Sequence, residues 1–179
     1  SRNFATQLFF LELNKLDKEA LLKSARHYYS YIKTTVSELG ALFCFELIMA
    51  EALTLTEEFN EALFYIDNAR NIYVDDEPGY ITLHFNEVLN LIEAMALFGI
   101  GKSRKSRDLL NKVNPKNFFL LAKKYYTIQY LILKLKFCKG KKINKELEGL
   151  VEFTGFKRLK KLIPIQDRNS EDELNFYGQ

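Results

Sequence analysis

Between Ser37 and Asp75 the chain carries two helical runs back to back. The first, residues 37–55, is apolar almost throughout and is interrupted by Glu46 and Glu51. The second, residues 56–73, sets Phe59, Ala62, Leu63, Ile66 and Ala69 at three- and four-residue spacing behind Thr56, a residue suited to a helix N-cap. Two such runs with only a turn between them make a helical hairpin. A hairpin of this length cannot bury its apolar faces alone, so its core has to come from stacking on neighbouring hairpins. Weaker segments downstream echo the pattern, which predicts an all-α protein of stacked antiparallel helical hairpins.

The remaining helices follow from the same periodicity. Residues 4–14 predict an opening helix with Leu8, Phe9, Phe10 and Leu11 on a broad apolar face, and Asp17 is placed to cap a second over 18–34. Asp75, Asp76, Glu77, Pro78 and Gly79 end the central hairpin. A fifth helix spans 80–98 and is broken by Gly99 and Gly101, Ser103 caps a sixth through Lys112, and Asn114-Pro115 closes it. A long seventh helix over 117–139 stops at Gly140, and an eighth covers 144–153. A basic amphipathic turn follows at 156–163. The turns near Thr56, Gly101 and Gly140 recur at 45 and 39 residues. Residues 1–163 thus read as one domain, with 164–179 a loosely ordered polar tail. Ser1 is no native start, so the chain is expected to be part of a longer one.

Composition agrees with long helices and sparse punctuation: three prolines and eight glycines are too few for a many-turned β sandwich. The two cysteines, Cys44 and Cys138, lie far apart in apolar helical stretches and read as reduced, buried thiols rather than a disulfide framework. The longest apolar run, 40–55, carries two glutamates and falls short of the about 20 mainly apolar residues a bilayer span needs. No secretory leader opens the chain, and a soluble cytoplasmic domain is expected. The net charge of +3 conceals a segregation. Residues 1–100 hold 7 Lys and Arg against 15 Asp and Glu, residues 101–162 hold 18 against 4, and residues 163–179 hold 1 against 4. A basic half attracts acidic surfaces, polyanions or the acidic half of a second copy, so self-association through the two halves is one expectation.

The hairpin from Phe43 to Val74 resembles a tetratricopeptide repeat. Ala50 stands where that family has a small residue in its first helix, and Phe59, Ala62 and Ala69 stand where it has an aromatic and two alanines in its second. Small residues there let the two helices approach closely. Ala94, Ser103 and Ser106 give a fainter copy, while the family's tryptophan and its unit-ending proline are missing. The resemblance implies a TPR-like α-solenoid of about eight helices. It also implies a non-enzymatic scaffold whose concave face holds a peptide or partner helix.

Motifs for chemistry dissolve on inspection. Gly101-Lys102-Ser103 ends a near miss to a phosphate-binding loop, but that loop works between a strand and a helix, and the residues before Gly101 are helically periodic. Tyr73-Val74-Asp75-Asp76 spells the two-aspartate turn of reverse transcriptases, yet Glu77, Pro78 and Gly79 follow where an apolar strand should. His27 and His84 have no ligand or triad partner at useful spacing. Pairs such as Glu57/Glu58 sit at helix starts, where they complement the dipole. No catalytic residue, metal or cofactor is assigned.

Two surfaces remain. Lys102, Arg104, Lys105 and Arg107, with Lys139, Lys141 and Lys142 further on, form a basic patch; interleaved Tyr125, Tyr126 and Tyr130 would offer stacking to single-stranded nucleic acid. The first helix of each hairpin lines the concave side in this architecture, which predicts a partner-binding groove exposing Glu51, Asn90, Met95, Tyr130 and Lys134. The leading expectation is a helical-repeat scaffold that binds a protein or peptide. Its alternatives are the peptide-sensing effector domain of a bacterial or phage transcription regulator, and polyanion or RNA binding by residues 101–162.

Overall fold

The computed structural model describes residues 17–35, 39–72, 80–118, 122–138 and 140–155. Within them the chain is all-helical: α1 (Lys18–Thr35), α2 (Leu39–Leu55), α3 (Phe59–Asn71), α4 (Tyr80–Gly99), α5 (Ser103–Leu110), a 3-10 turn (Pro115–Asn117), α6 (Lys123–Phe137) and α7 (Lys141–Thr154). The expected helix at 4–14, the basic turn at 156–163, the tail and the Tyr73–Gly79 stretch lie outside the described residues.

Packing follows chain order. α2 pairs with α3, α4 with α5 and α6 with α7, while α2 also packs on α4 and α4 on α6. The reason lies in apolar distribution. α2 is apolar nearly all round and buries Phe43, Phe45, Leu47, Met49 and Leu53, so it needs neighbours on every side. α5 is its opposite: Ser106 and Leu110 are buried on one stripe, Leu109 is half-buried beside them and the other residues are exposed. Small residues are buried in both hairpins. Ala50, Ala62 and Ala94 are fully buried, and Ser106 at the α4–α5 crossing donates its hydroxyl to the Ala94 carbonyl at 2.6 Å.

The turns that follow α2 and α4 have the same construction. At the end of α2, Glu57 N donates to Thr54 O and Glu58 N to Leu53 O; at the end of α4, Gly101 N donates to Phe98 O and Lys102 N to Leu97 O. Each is a Schellman cap, with the intervening residue left-handed: Glu57 at φ 70° and Gly101 at φ 79°. The turns lie 44 residues apart, Glu57 to Gly101, close to the expected 45.

Several local expectations need correcting. Thr56 does not cap α3; its hydroxyl turns back to the Ala52 and Leu53 carbonyls, and the cap position falls on Glu58, which makes no side-chain cap bond. Ser103 likewise is the first residue of α5 rather than its cap, which is Lys102. Gly99 does not break α4 but is its last residue, and a Cβ there would fall 2.4 Å from the Phe59 ring, so glycine is what lets α4 meet α3. The expected long seventh helix is shorter, preceded by the 3-10 turn, and the eighth begins earlier, at Lys141, with Gly140 as its cap residue. Asp17 does cap α1 by accepting from Ala20 N at 3.0 Å, and Asn114 accepts from Lys116 N at 3.1 Å where the chain turns at Pro115.

Candidate functional site

Where α1, α2, α4 and α6 converge they leave a half-open cavity of about 240 Å³. Leu21 of α1, Leu55 of α2, Met95 and Phe98 of α4 and Leu133 of α6 form most of its wall, with Phe59 of α3 at one edge. Thr54 and Gln129 are the neutral polar side chains on it, and Lys18, Glu57 and Lys136 stand at its exposed margin.

Behind the wall lies a buried polar cluster that joins α2 to α6. Tyr126 donates its hydroxyl to Glu51 Oε2 at 3.1 Å, Tyr125 hydrogen-bonds to the same carboxyl, and Gln129 Nε2 donates to the Tyr125 oxygen at 3.0 Å. From α4, Leu91, Ile92 and Met95 close the other side. Burial pushes the Glu51 carboxyl from its ordinary 4.5 up to about 7, against the opposing pull of the two tyrosine hydrogen bonds. Burial, and next the charge of Glu51, raise both phenols well above their ordinary value. A second buried acid, Glu46, accepts from Tyr29 at 2.9 Å and from Asn68 at 3.3 Å, tying α2 to α1 and α3.

The five expected groove residues do not form one surface. Glu51 is 5% exposed and belongs to the core, which corrects its place as an exposed hook. It meets Met95 in a gap of about 10 Å³ behind the main cavity, and of the five only Met95 lines that cavity. Asn90 is half-buried and accepts from Arg70 at 2.8 Å, while Arg70 also bonds to Glu93. Tyr130 and Lys134 pair with each other on α6, the ammonium 5.3 Å from the ring centroid and 3.4 Å from the hydroxyl. Tyr125 and Tyr126, considered for base stacking, are buried. The signal for the cluster was a glutamate inside an apolar run, but its partners lie 75 residues away and no spacing links them.

In the basic patch, Lys102, Arg104, Lys105 and Arg107 are exposed at the start of α5, and Lys142 is exposed on α7. Lys139 and the Lys141 side chain lie outside the described residues, as does the His84 side chain. Cys44 is half-buried and Cys138 exposed, neither in a disulfide, so the expectation of burial fails for Cys138. Among the described residues no group of three His, Cys, Asp or Glu is placed to hold a metal ion, and no helix is long and apolar enough to cross a membrane. No protein-family model, curated protein or solved structure matches this chain.

Proposed function

We propose that the protein is a non-enzymatic helical scaffold that binds a protein or peptide partner, in the manner of tetratricopeptide-like hairpin arrays. The observation that carries this reading is the repetition of one hairpin construction: α2–α3 and α4–α5 share the same Schellman turn, and small buried residues lie in both, Ala50 and Ala62 in the first, Ala94 and Ser106 in the second. Hairpins built alike and packed in chain order supply long shared faces. On the α6 face, Tyr130 and Lys134 are half-buried, and an aromatic with an adjacent cation is a common anchor at protein interfaces.

The test is affinity capture with the full chain, comparing the unmodified protein with the double variant Tyr130→Ala, Lys134→Ala. Loss of a specific partner by the variant, with its melting temperature little changed, is the expected result. Equal capture by both overturns the assignment of that face.

A further inference from the structure

We propose that the cavity between α1, α2, α4 and α6 binds a medium-chain alkyl monocarboxylate, with its hydrocarbon inside and its carboxylate at the rim beside Lys18 and Lys136. This inference is independent of the scaffold reading.

The wall dictates the hydrocarbon. Leu21, Leu55, Met95, Phe98 and Leu133 present apolar surface, and the two neutral polar neighbours each spend a donor inside the chain: Thr54 donates to the Ala50 carbonyl at 2.7 Å and Gln129 to Tyr125. A peptide backbone would bring N–H and C=O groups against a wall with few partners to offer them. An alkyl chain brings none. A volume of about 240 Å³ holds about eight groups of water or methylene size at ~30 Å³ each, which sets the chain length near eight carbons.

The rim dictates the headgroup. Lys18 and Glu57 form an exposed ion pair at 3.1 Å, a weak kind of contact that exchanges readily. Lys136 is exposed and forms no ion pair among the described residues. Two ammonium groups and one carboxylate leave the margin with one positive charge, the complement of a single carboxylate. An amine headgroup would meet repulsion there, and a neutral alcohol would gain nothing from it.

The experiment is a calorimetric titration of the full chain with octanoate, octylamine and 1-octanol. Octanoate should bind more tightly than 1-octanol, and octylamine most weakly. From hexanoate to octanoate the affinity should rise roughly fourfold per added methylene, then level off once the chain outgrows the cavity. Lys136→Gln should bring octanoate down to the level of 1-octanol and leave the alcohol unaffected. Met95→Trp, which fills the cavity, should abolish binding of both; should that variant not fold, the Lys136→Gln result and the chain-length series decide by themselves. Octylamine binding as tightly as octanoate, no dependence on chain length, or an octanoate affinity indifferent to Lys136→Gln would each overturn the proposal. So would displacement of octanoate by an uncharged apolar peptide that binds more tightly, which would assign the cavity to polypeptide.

Discussion

The hairpins α2–α3 and α4–α5 share a turn, yet they fill equivalent positions with different chemistry. Moving along the chain by the 44 residues that separate Glu57 from Gly101 carries Glu51 onto Met95, Leu55 onto Gly99 and Ala62 onto Ser106. In the first hairpin the position after Ala50 holds a buried carboxyl pinned by tyrosines; in the second the position after Ala94 holds a thioether that lines a cavity. The last residue of the first helix is a leucine in one and a glycine under a phenylalanine ring in the other. One backbone plan is therefore met by two solutions: the Glu51–Met95 and Leu55–Gly99 differences fall where the hairpins touch other elements, while the Ala62–Ser106 difference lies within the hairpin, where Ser106 bonds to Ala94.

The largest expected effect tests the Glu51–Met95 difference. The Glu51 carboxyl titrates at about 7 in the folded chain against an ordinary 4.5, so between these values the folded state keeps a proton that the unfolded state releases. Its contribution is fully present below pH 4.5 and is lost as the pH rises through 7. The total loss is about 3 kcal/mol, from roughly 1.4 kcal/mol per unit of displacement. Around it α6 presents Tyr125 and Tyr126, and α4 presents only apolar groups, so no described cation compensates the charge. Urea denaturation at pH 5 and pH 8 should show the decline. Glu51→Gln, which keeps an acceptor for Tyr126, should flatten it and be the more stable protein at pH 8. An unchanged pH dependence in that variant would place the titration elsewhere.

Next in size is the Leu55–Gly99 difference. A methyl group at residue 99 would sit 2.4 Å from the Phe59 ring, a separation that forces the ring or the helix to move. Gly99→Ala should therefore destabilise by roughly 1–3 kcal/mol, as overpacking does. The change at Gly149 is a control, because a Cβ there meets nothing within 4 Å and alanine is the better helix former. If the clash is the cause, Phe59→Leu should recover part of the Gly99→Ala loss in a double-mutant cycle. Additive losses would show that the two sites do not communicate.

These contrasts also show what the sequence makes legible. Helix existence was readable from periodicity, as in α1 and α4, whose observed spans differ from the expected ones by a residue. The turns were not. Thr56 and Ser103 have the right chemistry to cap a helix, but the Schellman bonds of the preceding helix fix where the next one starts, and Thr56 satisfies its hydroxyl backwards on Ala52. Gly99 looked like a stop because its reason, the Phe59 ring, comes from another element. Glu51 fared worst. A glutamate on a helix reads as solvent-facing by default, and only the tertiary arrival of Tyr125 and Tyr126 makes its burial tolerable. The cavity was likewise invisible, being a property of four helices together.

The smallest effect concerns the turns themselves, where Glu57 adopts the left-handed conformation that Gly101 adopts without a side chain. A non-glycine residue held there is strained by roughly 1–2 kcal/mol. Glu57→Gly removes that strain, gives back roughly 0.5–1 kcal/mol through the freer unfolded chain, and sacrifices an exposed pair with Lys18 worth about 0–1 kcal/mol. The net should be a slight stabilisation, a few tenths of a kcal/mol, visible as a higher urea midpoint with the same slope. Glu57→Ala isolates the ion pair, since a Cβ remains in the left-handed turn, and should be neutral or slightly destabilising. Should Glu57→Gly prove less stable than Glu57→Ala, the pull of Lys18 would not explain it, because both variants lack the carboxylate. The first turn would then be held by something other than the geometry it shares with the second.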